Sequence, residues 1–533
     1  MRKYNELKLE ELSVEQKLGI ATVAFCWSPK YCDVAYIEKL VRNRSVGAVW
    51  FIKDNPENYP VMNHLREIAD YPLLCFTDAE SGLEEFLIGS HNAIGMVGSE
   101  EAAYNFGKVI GITALKKGFN VVCNPLLDMP KGNCTVCGGF ARSLGSDKEK
   151  VTALAKAIAR GMHDAGVLTV GKHYPGTGPN DGNPIDSHMA ETSNDMTLEE
   201  FLDDNLYPYI ELNKEGLLDG VMLQHSRCPN LDPDYPVSLS SKALNVFRDK
   251  GFEGFAITDA LAMMGIVAKY GFHGGIALAI GNAGALALPF RNKNEEILEN
   301  LKKAYDDGVI PDDKLNESVS RVLAAQHKLA TMQPKFDELT EEDIRLFNSI
   351  NTDSVYEKCD VGVSSCLDKN KKHAFVILTE NEIAINGTGR AMEDTMGEDW
   401  YNPIRIANRL KKLYPDSETF SISEYPTADK VQQTLNEVVK YDDVVFISFY
   451  KTVAYTGIEA FTNRITGMLS ALQVSNRIST ALHFGNPFIL EALPHIPRVI
   501  IGTMSAKGVD AGIDVLAGLY PAKGVLTYDV HLK

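Results

Sequence analysis

No stretch of the chain approaches the about 18 to 20 consecutive apolar residues that a membrane-spanning helix requires. The opening Met1-Arg-Lys-Tyr-Asn-Glu-Leu lacks the apolar core of a secretory signal. The expectation is therefore a cytoplasmic protein with no membrane partner. Positive charge is also short: 53 Lys and Arg stand against 71 Asp and Glu, a net charge of −18 spread along the chain. A surface of that sign repels phosphate backbones, so no nucleic acid is expected as partner. No Gly-x-Gly-x-x-Gly or phosphate-cradling Gly-Lys-Ser occurs, which leaves a nucleotide role without its usual loop. The nine cysteines are an odd number, and several sit inside apolar runs, as Cys26 does in Val-Ala-Phe-Cys-Trp and Cys75 in Leu-Leu-Cys-Phe. These read as reduced thiols. Cys134-Thr-Val-Cys137 has half the spacing of a zinc site, but no second pair completes it. No metal or other cofactor is expected.

What is present is an alternation. With 533 residues, 45% of them hydrophobic, the chain is long enough for two or three cores. Short β-branched runs alternate with helical windows, the pattern of parallel strands joined by crossover helices. Eight such runs precede residue 300: Gly19–Cys26, Gly47–Ile52, Pro72–Thr77, Asn120–Asn124, Val167–His173, Gly220–Gln224, Glu253–Thr258 and Gly284–Pro289. Eight strands alternating with helices predict a (β/α)8 TIM-type barrel, whose functional groups gather where the strands end. The polar residues at those ends are Asp78, Asp128, Lys172 with His173, His225 and Asp259. Any one alone could merely cap the next helix. Five such positions on one face are a stronger signal.

A helix over Asp312–Thr331 closes this half, and a polar connection with the acidic run Glu338–Asp343 follows. The expected division is a barrel over 1–335, a linker over 336–352 and a second domain over 353–533. That second domain again alternates, with strands at Ala374–Thr379, Thr419–Ser423, Asp443–Phe449, Ser479–Phe484 and Val499–Thr503. Five strands with helices between them suit a smaller doubly wound α/β sandwich of the flavodoxin-like kind.

The motifs Leu12-Ser-Val-Glu-Gln-Lys-Leu-Gly19, Asp78-Ala-Glu-Ser-Gly82, Arg142-Ser-Leu-Gly145, Lys172-His-Tyr-Pro-Gly176 with Asp186-Ser-His188, and Thr258-Asp-Ala-Leu-Ala-Met-Met-Gly265 occur in this order. Together they resemble glycoside hydrolase family 3, and within it the bacterial β-N-acetylglucosaminidase branch, over nearly the whole chain. The resemblance implies a retaining β-N-acetylhexosaminidase acting on a carbohydrate substrate. Asp259 would attack the anomeric carbon and form a glycosyl-enzyme. His188 would serve as general acid and then base, oriented by Asp186, because an imidazole holds and releases a proton near neutrality. Lys172, His173, Arg142 and Asp78 would bind hydroxyls of the terminal sugar. His225 would lie at the sugar site or brace it.

Three positions depart from the family pattern: Thr177 replaces a His, Ser81 a Gly and Leu286 an Asp. The first two lie beside the sugar site, where they bear on which sugar or leaving group is preferred. Rival readings stay open at this point. They are a phosphorylase that replaces water with phosphate, a β-glucosidase or xylosidase whose acid/base is a Glu of the second domain, and a sugar-binding relative without catalysis. Whether the chain forms a homodimer is also open.

Overall fold

The computed structural model describes residues 4–52, 55–130, 132, 141–176, 186–380, 403–450 and 460–533. Cys134, Cys137 and Thr177 lie outside the described residues. By its internal contacts the chain forms two units. The first comprises 1–86, 100–129 and 147–344, and the second comprises 345–533 together with 87–99 and 130–146.

The first unit is built on seven parallel strands in sequence order: β1 (Val23–Cys26), β2 (Ala48–Phe51), β3 (Leu74–Thr77), β4 (Val121–Val122), β5 (Leu168–Tyr174), β6 (Gly220–Leu223) and β7 (Phe255–Thr258). Every one of them is buried along its whole length, as expected where helices cover a parallel sheet. The sheet curls. Phe76 of β3 meets Phe255 of β7 edge to face at 5.8 Å between ring centroids, while Trp50 of β2 stacks on Phe76 at 5.9 Å.

The expected eighth strand, Gly284–Pro289, is reduced to single bridges, Leu286 to Ile257 of β7 and Ala287 to Thr22 just before β1. Its backbone still bonds to both sides, since Leu286 N–H donates to Ala256 at 2.8 Å and Ala287 N–H to Ala21 at 2.9 Å. The first strand starts later than expected because a helix over Val14–Ile20 takes Gly19 and Ile20. Ser13 opens that helix with a capping box to Gln16. Gly19 is needed there, since a Cβ would stand 1.9 Å from the Ser45 carbonyl oxygen. The fourth strand is regular over only two residues, although its flanks keep backbone bonds to the neighbouring strands, Asn120 N–H to Cys75 O and Cys123 N–H to Thr77 O, both at 2.9 Å. The Asn120 amide takes the Cys75 N–H at 2.7 Å and donates to Leu73 O at 2.9 Å, and Pro125 has no N–H to offer the ladder.

The contiguous division expected from sequence is interrupted, because 87–99 and 141–146 bond within the second unit. Asn92 donates to Thr527 Oγ1 at 2.7 Å, and Tyr528 donates to the Ser143 carbonyl at 2.9 Å. The expected linker holds a helix over Glu341–Asp353. Its acidic start has a local cause: Thr340 caps it, with the Asp343 N–H donating to Thr340 Oγ1 at 3.1 Å. Asp343 also takes the buried ammonium of Lys108 at 2.8 Å.

The second unit carries five parallel strands, β9 (His373–Glu380), β10 (Glu418–Ser423), β11 (Asp443–Tyr450), β12 (Ile478–Gly485) and β13 (Arg498–Gly502), and an antiparallel edge strand, β8 (Tyr356–Cys359). Their spatial order is β8-β13-β12-β11-β9-β10. Both faces are buried. Phe375, Ile377, Val445 and Ile447 pack into one core, and their neighbours Ala374, Val376, Val444 and Phe446 into the other. This is the period of two that a sheet between two helical layers requires. The edge strand Tyr-Glu-Lys-Cys is only partly buried and carries no apolar run, which is why sequence reading passed over it.

His373, fully buried at the start of β9, is held by the Asp443 carboxylate and by the Asp368 carbonyl at 2.9 Å. Burial pushes the imidazole pKa down, but these partners outweigh it and leave it above its ordinary value. A raised folded-state pKa contributes stability that is complete below about pH 6.5 and is lost as pH rises through the folded value. The melting temperature should therefore fall as pH is raised from about 6 to about 8, and His373→Gln should flatten that slope. Equal slopes in calorimetry of the two proteins would refute the assignment.

Candidate active site

Five strand ends and one loop of the first unit supply the site. β5 ends in Lys172-His-Tyr174, and the Lys172–His173 peptide bond is cis. Successive residues of a regular strand point to opposite faces, but the β5–β6 register shifts between Lys172 and Tyr174, and such an irregularity re-aims side chains. Lys172, with only 1% of its side chain exposed, places Nζ 2.8 Å from Asp78 Oδ1 and 2.5 Å from Glu80 Oε1. His173 is fixed twice by the fully buried Asp128: its backbone N–H donates at 3.0 Å, and its Nδ1 lies 2.7 Å from the same oxygen. The other ring nitrogen, Nε2, stands 4.0 Å from Asp259 Oδ2.

Asp259 follows β7 directly, with its backbone N–H bonded to Leu223 O at 2.9 Å and the Ala260 N–H donating to its own Oδ1 at 2.7 Å. Its side chain is 21% exposed, so the carboxylate is sheltered yet reachable. Burial pushes the carboxyl pKa up, but His173, His225, His188 and the Ala260 N–H outweigh burial and hold it below the usual carboxylate range. Asp259 is thus an ionised group among imidazoles.

The loop after β5 returns to the same field. Asp186 accepts the His188 backbone N–H at 2.9 Å and lies 2.6 Å from His188 Nδ1. With Nδ1 turned to the carboxylate, proton exchange goes through Nε2. The loop docks by backbone onto the helix Met264–Tyr270, since Met264 N–H donates to His188 O at 3.2 Å and Gly265 N–H to Ser187 O at 3.1 Å. Gly265 permits this approach. A Cβ there would sit 2.9 Å from both the Ser187 and Ala190 carbonyl oxygens.

His225 is a brace. It is fully buried, with Nδ1 2.8 Å from Ser238 Oγ and Nε2 3.0 Å from the Ala260 carbonyl. A carbonyl only accepts, so Nε2 carries the proton and Nδ1 accepts from Ser238. Burial pushes its pKa down, and its grip on Ala260 steadies the residue after Asp259. Both ring nitrogens are engaged inside the protein, which fits the brace, one of the two roles left open for His225 by the sequence.

The structure brings Asp78, Lys172, His173, Asp186, His188, His225 and Asp259 together, whereas Arg142 belongs to the second unit. Sequence reasoning missed Glu80, although it is the third residue of Asp78-Ala-Glu, and gave Asp128 no role. Cys123 was also missed. It lies buried where the charges of Lys172, Asp78, Asp259 and Glu80 all reach it. Leu286, one of the three departures from the family pattern, is buried in the closing bridge.

The model of the glycosyl hydrolase family 3 N-terminal domain matches residues 12–325. The chain belongs to glycosyl hydrolase family 3. It is 30% identical over 256 residues to a β-hexosaminidase of Tolumonas auensis, a match covering 45% of this chain and 75% of that one. It is 33% identical over 216 residues to the β-hexosaminidase LpqI of Mycobacterium bovis, covering 39% and 54% respectively. The chain thus spans about half the length of that mycobacterial relative. Among solved structures, the family 3 β-N-acetylglucosaminidase of Paenibacillus sp. superposes with a TM-score of 0.80 at 25% identity, covering 98% of this chain and 100% of that one. A β-glucoside phosphorylase, BglX, also gives a TM-score of 0.80, at 21% identity over 98% and 95% of the two chains. That likeness is one of fold. No helix among the described residues is long and apolar enough to cross a membrane.

The imidazole field around this family 3 carboxylate can be tested without substrate. In NMR titration of isotope-labelled protein, the Asp259 carboxyl should titrate below about pH 3.9, and His188→Ala should move it upward by removing one lowering charge. A wild-type value above the ordinary range, or no movement in the variant, would disprove the arrangement.

Proposed function

We propose that this family 3 chain is a retaining glycosidase that removes terminal β-linked N-acetylglucosamine, with Asp259 as nucleophile and His188 as general acid and base. The observation that carries the reading is the pairing in one site of an ionised carboxylate, Asp259, with a second proton-transfer group, the Asp186–His188 dyad. The β-hexosaminidases of Tolumonas and Mycobacterium support the sugar class. The bonds of segment 284–289 to both edges of the seven-stranded sheet support an eight-stranded (β/α)8 barrel. In the second unit, the order β10-β9-β11-β12-β13 is the 2-1-3-4-5 winding of a flavodoxin-like sandwich.

In the first step Asp259 Oδ attacks the anomeric carbon while His188 Nε2 gives its proton to the departing glycosidic oxygen. The bond to the aglycone breaks and a glycosyl ester forms. In the second step His188 takes a proton from water, the hydroxide attacks the same carbon, and Asp259 leaves. Two inversions retain the β configuration. Asp186 steadies the imidazolium that His188 forms before the first proton transfer and again after the second. Lys172, already paired with Asp78 and Glu80, presents a fixed charge to sugar hydroxyls. An imidazole, neutral once it has given up its proton, repels an incoming phosphate less than the carboxylate that a carboxylic acid would leave behind, which makes phosphorolysis the second reading.

A screen of aryl β-glycosides, run with and without phosphate, decides between these readings. Turnover of the N-acetylglucosaminide to free sugar, unaffected by phosphate, is expected. Phosphate-dependent turnover to a glycosyl phosphate would establish the second reading. A preference for glucoside or xyloside would overturn the sugar assignment.

Asp259→Asn should abolish turnover while leaving the melting temperature close to wild type, because the change is nearly isosteric. His188→Ala should slow a poor leaving group by on the order of 10²- to 10⁴-fold and slow dinitrophenolate, which departs unaided, much less. With the activated substrate, a burst of phenolate and rescue by azide are expected. Equal slowing of both substrates, without burst or rescue, would place the acid/base elsewhere.

A further inference from the structure

The end of β1 holds two thiols that the proposed reaction does not use. Cys26 closes the strand and is completely buried, whereas Cys32, in the loop leading to the helix Val34–Arg42, is partly exposed. Five residues, Trp27 to Tyr31, separate them. The loop folds back so that Cys32 Sγ lies 3.6 Å from the carbonyl oxygen of Phe25, the peptide oxygen joined to Cys26. Cys26 and Cys32 are near enough for each thiol to perturb the other. Asn294 holds this geometry from outside the loop. It accepts the Phe25 N–H at 3.0 Å, donates to Phe25 O at 3.1 Å and points the same amide at Cys32 Sγ at 3.8 Å.

We propose that Cys26 and Cys32 are a reversible oxidation site, an intrachain dithiol that peroxide converts to a disulfide at the carboxyl edge of the barrel sheet.

The two thiols are unlike, and each suits one half of the reaction. Cys32 is accessible, and the neighbouring Cys26 thiol pulls its pKa below the ordinary thiol value, so it supplies thiolate. Cys26 is shut away from solvent, with its thiol pushed up by Cys32 and by burial. The other described thiols differ: Cys75, Cys123 and Cys228 are buried and raised by burial, Cys359 is exposed but raised, and Cys366 is exposed without a thiol partner among the described residues.

The chemistry balances with hydrogen peroxide as the oxidant. The Cys32 thiolate attacks one peroxide oxygen, the O–O bond breaks, and the departing hydroxide takes a proton to become water, leaving Cys32 as a sulfenic acid. The Cys26 sulfur, losing its proton, then attacks the Cys32 sulfur. The S–O bond breaks and a second water leaves. Two thiols and one peroxide thus give one disulfide and two waters. The product closes the loop that carries Trp27, whose backbone is pinned by Asn292 at 2.8 Å and by Asn58 at 3.2 Å. A dithiol reductant reverses the reaction.

The test treats the full-length reduced protein with substoichiometric hydrogen peroxide and maps thiols by peptide mass spectrometry. The expected result is a cross-linked peptide containing Cys26 and Cys32, short of two hydrogens and restored by dithiothreitol. In Cys26→Ser, which lacks the resolving sulfur, Cys32 should instead be captured as a dimedone adduct. In Cys32→Ser, Cys26 should remain a thiol. The proposal fails if wild-type Cys32 proceeds to sulfinic acid while Cys26 stays reduced, or if Cys359 or Cys366 is oxidised first and the pair remains as thiols. The wild-type map alone decides between these outcomes, so the result stands even if a variant folds poorly.

Discussion

A buried lysine sets the terms for the site. Lys172 has almost no solvent around it, and an ammonium in that position is tolerable only when carboxylates stand against it. Asp78 and Glu80 do so from the end of β3. The next residue, His173, repeats the requirement with Asp128. Two neighbouring cationic or protonatable groups at one strand end therefore oblige three carboxylates from two other segments to converge on them, and that convergence draws the ends of β3, β4 and β5 to common positions. Removing any one carboxylate would leave a charge in a place that water cannot easily repair.

Asp259 solves the complementary problem. It is an anion in a sheltered position, and it is kept ionised by the field of three imidazoles rather than by a direct ion pair. A tight partner such as Arg would stabilise the charge but also occupy the lone pairs needed for attack. Imidazoles at a distance leave the carboxylate oxygens available. The division of labour among the rings follows from what each nitrogen touches. His225 spends both on the protein and is structural, His173 spends one on Asp128, and His188 spends one on Asp186 from a loop whose backbone docks where Gly265 offers no side chain.

Much of this was legible from sequence because parallel strands buried on both faces print as β-branched runs, and the first polar residue after such a run must be near the sheet's carboxyl edge. Asp78, Lys172, His173, His225 and Asp259 were found that way. Asp186 and His188 were not found by pattern, since a loop has no period, and they came from motif resemblance alone. Glu80 escaped because it lies two residues beyond its strand, and nothing local says which of several acids faces inward. The role of His225 was undecidable in one dimension: its partners are a serine 13 residues later and a carbonyl 35 residues later. The edge strand Tyr356–Cys359 was invisible because it is half-solvated, and segments 87–99 and 141–146 were assigned to the barrel because sequence neighbours were assumed to share a core.

Those two segments have a consequence for the order of events on the ribosome. Asn92 finds its hydroxyl partner, Thr527, 435 residues later, and the stretch around Ser143 waits for Tyr528. At a synthesis rate of about 5 to 20 residues per second, the gap is roughly 20 to 90 s. During that time the strands on either side have emerged, while the pieces between them have nothing to dock on. The first unit is therefore not a self-contained N-terminal module in the temporal sense. Its chain carries two passages whose resting place does not exist until Thr527 and Tyr528 have been made.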